Sequence, residues 1–120
     1  MSLNLTVPLR KFSLWLLLFP WALSWTASTF SAPIYEIEIR GNLFYPSELV
    51  VPSNTKIKLL IINKDPTPEE FESYELNREK VILGNSRTII FIGPLNAGKY
   101  PFFGEFNPST AIGTIIAEDQ

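Results

Sequence analysis

From residue 34 onward the chain alternates with a period of two. Ile34, Glu36, Glu38 and Arg40 fall on one side of an extended segment and Tyr35, Ile37 and Ile39 on the other, which is the pattern of a half-buried strand. Gly41 and Asn42 end it. Residues 43–51 carry Phe44 and Tyr45, then Leu49, Val50 and Val51, and Pro46 marks a bend or edge position between two short strands. After a Pro52-Ser53-Asn54 turn, residues 56–63 place Ile57, Leu59 and Ile61 on one face and Lys56, Lys58, Leu60 and Ile62 on the other. The second half of this strand is apolar on both faces, which predicts a central position in its sheet. Residues 69–74 read as a short strand or extended segment, and residues 76–82 as either irregular or a further strand. Residues 87–92 alternate again. In residues 98–113 the β-forming Tyr100, Phe102 and Phe103 are followed by Gly104, Asn107, Pro108 and Ser109, which interrupt a ladder, before a last strand at 111–118. Seven or eight short strands at nearly regular spacing, with no helical period after residue 31, predict an all-β antiparallel sandwich or barrel.

The first 31 residues follow a different rule. Arg10 and Lys11 precede an apolar run at 12–23, broken by Pro20 and followed by small and polar residues up to Ala32. Basic, apolar and small segments in that order make a secretory signal peptide. Thr29 and Ser31 are small at the third and first positions before a break, so cleavage is expected between Ser31 and Ala32, leaving 32–120 as one domain. An uncleaved anchor would have to tolerate Pro20, Ser24, Thr26 and Ser28 inside a membrane span. With no twin-arginine pair and no cysteine for lipidation, the expected destination is a bacterial periplasm by the general secretory route.

Composition narrows the chemistry. The chain has neither cysteine nor histidine, which removes thiolate and imidazole metal ligands, iron-sulfur clusters, cysteine nucleophiles and every Ser-His-Asp arrangement. Met1 is the only methionine. Arg10 and Lys11 belong to the leader, so the expected domain carries 12 acidic against 8 basic side chains, a net charge of about -4. Such a surface attracts cations and argues against nucleic acid as a partner.

The segment ELVVPSNTKIKLLIINKD at 48–65 resembles the cupredoxin pattern, in which a strand, a turn and a β-branched strand lead to Asn-Lys-Asp ahead of the first copper ligand. Asn63 suits that place because its amide can tie the loop to neighbouring backbone. In copper-binding relatives a histidine follows the proline, whereas here Pro68 is followed by Glu69. Their later loop supplies cysteine, histidine and usually methionine, and this chain offers Gly104 or Glu105, then Asn107, then Thr110 or Ala111. The resemblance is closer to the cupredoxin-like (EfeO-type) domains encoded with bacterial iron permeases, through EFES at 70–73, LNREK at 76–80 and FFGEFNPSTAIG at 102–113. It implies a Greek-key β-sandwich without type 1 copper, a place in iron uptake, and a partner that is an iron permease or another periplasmic component of that system. Membrane contact is then expected only through the partner or through an uncleaved signal segment.

Carboxylates remain as candidate chemistry. Glu69, Glu70, Glu72, Glu75 and Glu79 lie within eleven residues. If Phe71 points into the core, Glu70 and Glu72 project outward together, roughly 7 Å apart. Glu69 shares the side of Phe71 and, in the topology the resemblance implies, approaches Glu105 and the amide oxygen of Asn107. Glu69, Glu72, Glu105 and Asn107 are therefore the candidate metal ligands, an oxygen set suited to hard cations including ferric iron. No catalytic residue is assigned, and any part in iron oxidation would be an assisting one. The competing readings are a solvated acidic strand, an ion pair of Glu105 with Arg78 or Lys80, and a non-enzymatic interaction module in which Phe103 or Phe106 docks a partner around a vestigial metal site.

Overall fold

Strands form wherever the alternation is continuous. The computed structural model describes residues 2–4, 23–27 and 31–120. Most of the expected signal segment, Arg10, Lys11 and Pro20 included, lies outside the described residues. Among those described, nine strands follow in order: β1 (Ile34–Arg40), β2 (Leu43–Tyr45), β3 (Glu48–Pro52), β4 (Ile57–Asn63), β5 (Glu69–Ser73), β6 (Arg78–Ile82), β7 (Arg87–Ile92), β8 (Gly98–Gly104) and β9 (Ile112–Glu118). Residues 76–82, open between two readings, thus supply β6.

The strands make two sheets, ordered β2-β1-β4-β7 and β3-β9-β8-β5-β6. Pro46 separates β2 from β3, and the two lie in different sheets, so the bend expected there is where the chain changes layer. β4 is central as its two apolar faces predicted, between β1 and β7. The expectation of a wholly antiparallel sandwich is corrected at two pairings, since β1 runs parallel to β4 and β3 parallel to β9. Alternation reports which face of a strand is buried and carries nothing about the direction of its neighbour.

The inward residues of both sheets fill one core. Ile37, Ile39, Ile57, Leu59 and Ile61 of the first sheet meet Phe71, Phe102 and Ile115 of the second, all of them at 2% exposure or less. Phe102 is its aromatic centre, stacked on Phe71 at 4.9 Å and edge-on to Phe44 at 5.0 Å. β1 and β2 are joined by a two-residue turn in which Gly41 and Asn42 take φ of 58° and 59°, a conformation that suits glycine and asparagine. Both of their N–H groups donate to the Asp65 carboxylate, each at 2.8 Å. The turn is thereby fastened to the loop leading into β5.

Candidate functional site

Two loops meet at one end of the sandwich: 64–68, which enters β5, and 105–111, which joins β8 to β9. The first is anchored by Asn63, 1% exposed. Its Nδ2 donates to the carbonyls of Thr67 (2.8 Å), Ile82 (3.2 Å) and Leu83 (3.3 Å), and its Oδ1 accepts from Asp65 N (3.0 Å). The role expected for this side chain is the one it performs. The second loop folds on itself, Asn107 N donating to Gly104 O at 3.0 Å and Ala111 N to Asn107 O at 2.9 Å. Glu105 N donates to Glu70 O at 2.8 Å and holds this loop against β5.

Between the loops lies Glu69, 1% exposed and on the side of Phe71 as alternation predicted. Its Oε1 accepts from the N–H groups of Glu70 and Phe106, both at 2.9 Å, and its Oε2 accepts from Asn107 Nδ2 at 2.8 Å. Glu69 and Asn107 are thus brought together. The expectation that Asn107 presents its amide oxygen is corrected, because a carboxylate requires a donor opposite it and the amide turns its nitrogen inward. Gly104 makes the space: a Cβ there would stand 2.6 Å from Glu69 Cδ and 2.8 Å from Ala111 Cβ.

Glu72 and Glu105 belong to the other face of the sheet. Glu72 lies opposite Glu79 on β6 and Phe103 on β8. Glu70, Glu72 and Glu79 each bring a carboxylate oxygen within 4.8 Å of the others, with Glu105 near enough to act on Glu70 and Glu72. The four expected ligands therefore divide into an interior pair and an outward pair, and the outward pair is joined by Glu70 and Glu79. Glu79 escapes sequence reasoning because its meeting with Glu72 depends on the β5/β6 register. The proposed ion pair of Glu105 with Arg78 or Lys80 does not form. Arg78 is instead committed to the carbonyls of Phe91 and Asn77, each at 2.9 Å, and the one ion pair among the described residues joins Arg40 to Glu38.

Crowding shifts these acids. A hydrogen bond with the Glu79 carboxyl, then desolvation, then the charges of Glu79, Glu72 and Glu105 push Glu70 from 4.5 up to about 7. Desolvation, then Glu79 and Glu105, raise Glu72, partly offset by a hydrogen bond from Glu70. A carboxyl whose folded pKa is raised binds its proton more tightly folded than unfolded, so its contribution to stability is present at low pH and lost as pH rises through the folded value. The unfolding midpoint is expected to fall between pH 5 and pH 7.5, and Glu79→Gln to flatten that slope in thermal scans across the range. A slope of opposite sign in that window, unchanged by Glu79→Gln, would contradict the assignment.

Aromatic side chains border the acids. Phe103 is half-buried with its ring 5.6 Å from that of the exposed Tyr74, and Phe106 is 49% exposed on the loop. An open groove of about 500 Å³ runs beside them, lined by Ser47, Glu48, Pro101, Phe103, Pro108 and Ile112 among others.

The fold is also that of known proteins. The model of the cupredoxin-like domain family matches residues 13–117. This chain belongs to the cupredoxin-like family. Uncharacterized protein RP394 of Rickettsia prowazekii is 45% identical over 84 residues, covering 70% of this chain and 67% of that protein. A copper binding protein solved in its apo form by NMR is similar with a TM-score of 0.64 and 18% identity, over 76% of this chain and 93% of its own. The metal binding domain of the Streptococcus pneumoniae D39 Cu(I) exporting P-type ATPase CopA is similar with a TM-score of 0.61 and 13% identity, over 76% and 92% of the two chains. At these identities the structures share the fold. A type 1 copper centre does not fit this cupredoxin-like chain, because the chain holds no cysteine or histidine and both oxygens of Glu69 are engaged by protein donors.

Proposed function

We propose that this cupredoxin-like protein is a periplasmic accessory of an iron uptake system, meeting iron at its outward carboxylates and passing it to a membrane permease. The observation that carries the reading is the convergence of Glu70, Glu72 and Glu79, all with oxygen donors and all facing outward. Glu105 lies beside them, while Glu69 and Asn107 support the loop behind. Oxygen donors of this kind favour a hard cation over Cu(I). Glu70 is raised first by its hydrogen bond with Glu79, and the charges of Glu79, Glu72 and Glu105 that add to the rise are the repulsion a bound cation relieves. Oxidation of Fe(II) needs an electron acceptor that these side chains do not provide, so that step belongs to oxygen or to another component.

Titration of the protein with Fe(II), Fe(III), Mn(II) and Cu(II) tests this reading. Saturable iron binding is expected, weakened by about tenfold or more in Glu72→Gln and Glu79→Gln, since each removes one charged ligand. Binding should also weaken below pH 7 as protons compete for Glu70. No saturable iron binding by the wild-type protein would remove the metal from the account.

A second reading, a non-enzymatic interaction module, is favoured by the exposed Tyr74 and Phe106 and the adjoining groove. It expects a periplasmic partner to be retained in the presence of chelator and lost with Phe106→Ala.

A further inference from the structure

We infer that the Glu69 carboxylate is a built-in anion around which the 105–111 loop is organised against β5, so that this end of the domain is formed and held by hydrogen bonds with no metal in the bridging position. Three N–H donors converge on it, one from its own strand and two from the 105–111 loop. A buried carboxylate is costly unless its lone pairs are met, and here both oxygens are met. Converging N–H groups make an environment for negative charge. A cation taking Glu69 as a ligand would have to reach a carboxylate that is 1% exposed and sit among the hydrogens of the donors already on it.

The neighbouring residues fit the same account. Gly104 is the one residue that leaves the carboxylate room, and Asn107 is oriented as a donor. Glu69, Gly104 and Asn107 therefore work as a set. The reciprocity is strict at position 107: a carboxylate placed there faces the Glu69 carboxylate unless residue 69 is itself given a donor.

That reciprocity gives the test. In Asn107→Asp two carboxylates face each other with no donor between them, which should lower the unfolding midpoint by on the order of 10 °C, whereas in Glu69→Gln the Asn107 amide can turn its oxygen toward the new N–H₂ and the loss should be smaller. The double exchange Glu69→Gln with Asn107→Asp reverses the third hydrogen bond instead of breaking it, and should recover most of the loss. With the outward cation site removed by Glu72→Gln and Glu79→Gln, the chain should unfold at the same midpoint with and without EDTA. Should the Asn107→Asp chain fail to fold, amide hydrogen exchange on that outward-site variant decides: the Phe106 N–H should be equally protected with and without chelator. A midpoint or a Phe106 protection that collapses in EDTA, or a double exchange no better than the worse single variant, would overturn the inference. The outcome is separable from the iron reading, because iron bound by Glu70, Glu72 and Glu79 should survive the Glu69/Asn107 double exchange.

Discussion

Phe102→Ala is expected to cost about 3–5 kcal/mol, an amount close to the whole stability of a small domain. The ring is 2% exposed and bridges the two sheets, stacked on Phe71 of β5 and edge-on to Phe44 of β2. Its surroundings are poorly placed to collapse into the vacated volume. On one side lies Gly113, where even a Cβ would stand 2.4 Å from the ring, and glycine has no side chain with which to fill a gap. Urea unfolding should show a large fall in the midpoint with little change in slope, or a chain already unfolded without denaturant. Phe102→Leu, which keeps much of the volume, should retain most of the stability. A loss below about 1 kcal/mol for the alanine variant would mean that the aromatic cluster is not the centre of the core.

Asn63→Ala is expected to cost about 3 kcal/mol, although it deletes only a small amide. That amide makes four hydrogen bonds from a site 1% exposed. Without it, the carbonyls of Thr67, Ile82 and Leu83 lose a donor and Asp65 N loses an acceptor, all at the junction of β4 with the loop entering β5. The damage should extend to Asp65, whose carboxylate holds both N–H groups of the Gly41-Asn42 turn. Hydrogen exchange at Gly41 and Asn42 should therefore accelerate in the variant, a distant effect that loss of packing alone would not produce. Asn63→Asp should be no milder, because a carboxylate oxygen would then confront three carbonyls.

Much of this architecture could be read from particular residues. Ile37 and Ile39 lie inside as their alternation required, because a strand with one wet face has only one way to turn, whereas in residues 87–92 Ile89 and Phe91 oppose Ile90 and Ile92 and alternation alone did not choose the inward side. Asn63 was legible for a different reason: a short amide between a β-branched strand and a proline-containing loop has backbone groups within reach on both sides. The parallel pairs β1/β4 and β3/β9 were not legible, since neither joins consecutive strands. Nor was the part played by Glu79, which meets Glu72 only through register. The interior site was half legible. Side alternation placed Glu69 inward and the resemblance placed it near Asn107, but the direction of the Asn107 amide follows from the charge opposite it and not from sequence spacing.

β9 sits between β3 and β8 although it follows both in sequence, and at its end Ser53 binds both Glu118 O, through its N–H at 2.8 Å, and the Asp119 carboxylate, through its hydroxyl. A ribosome therefore releases four of the five strands of that layer before the one that joins β3 to the rest exists. Until Ile112–Glu118 emerges, β3 and β8 each present an unsatisfied edge. A nascent chain of this kind leaves that layer open until β9 has been made.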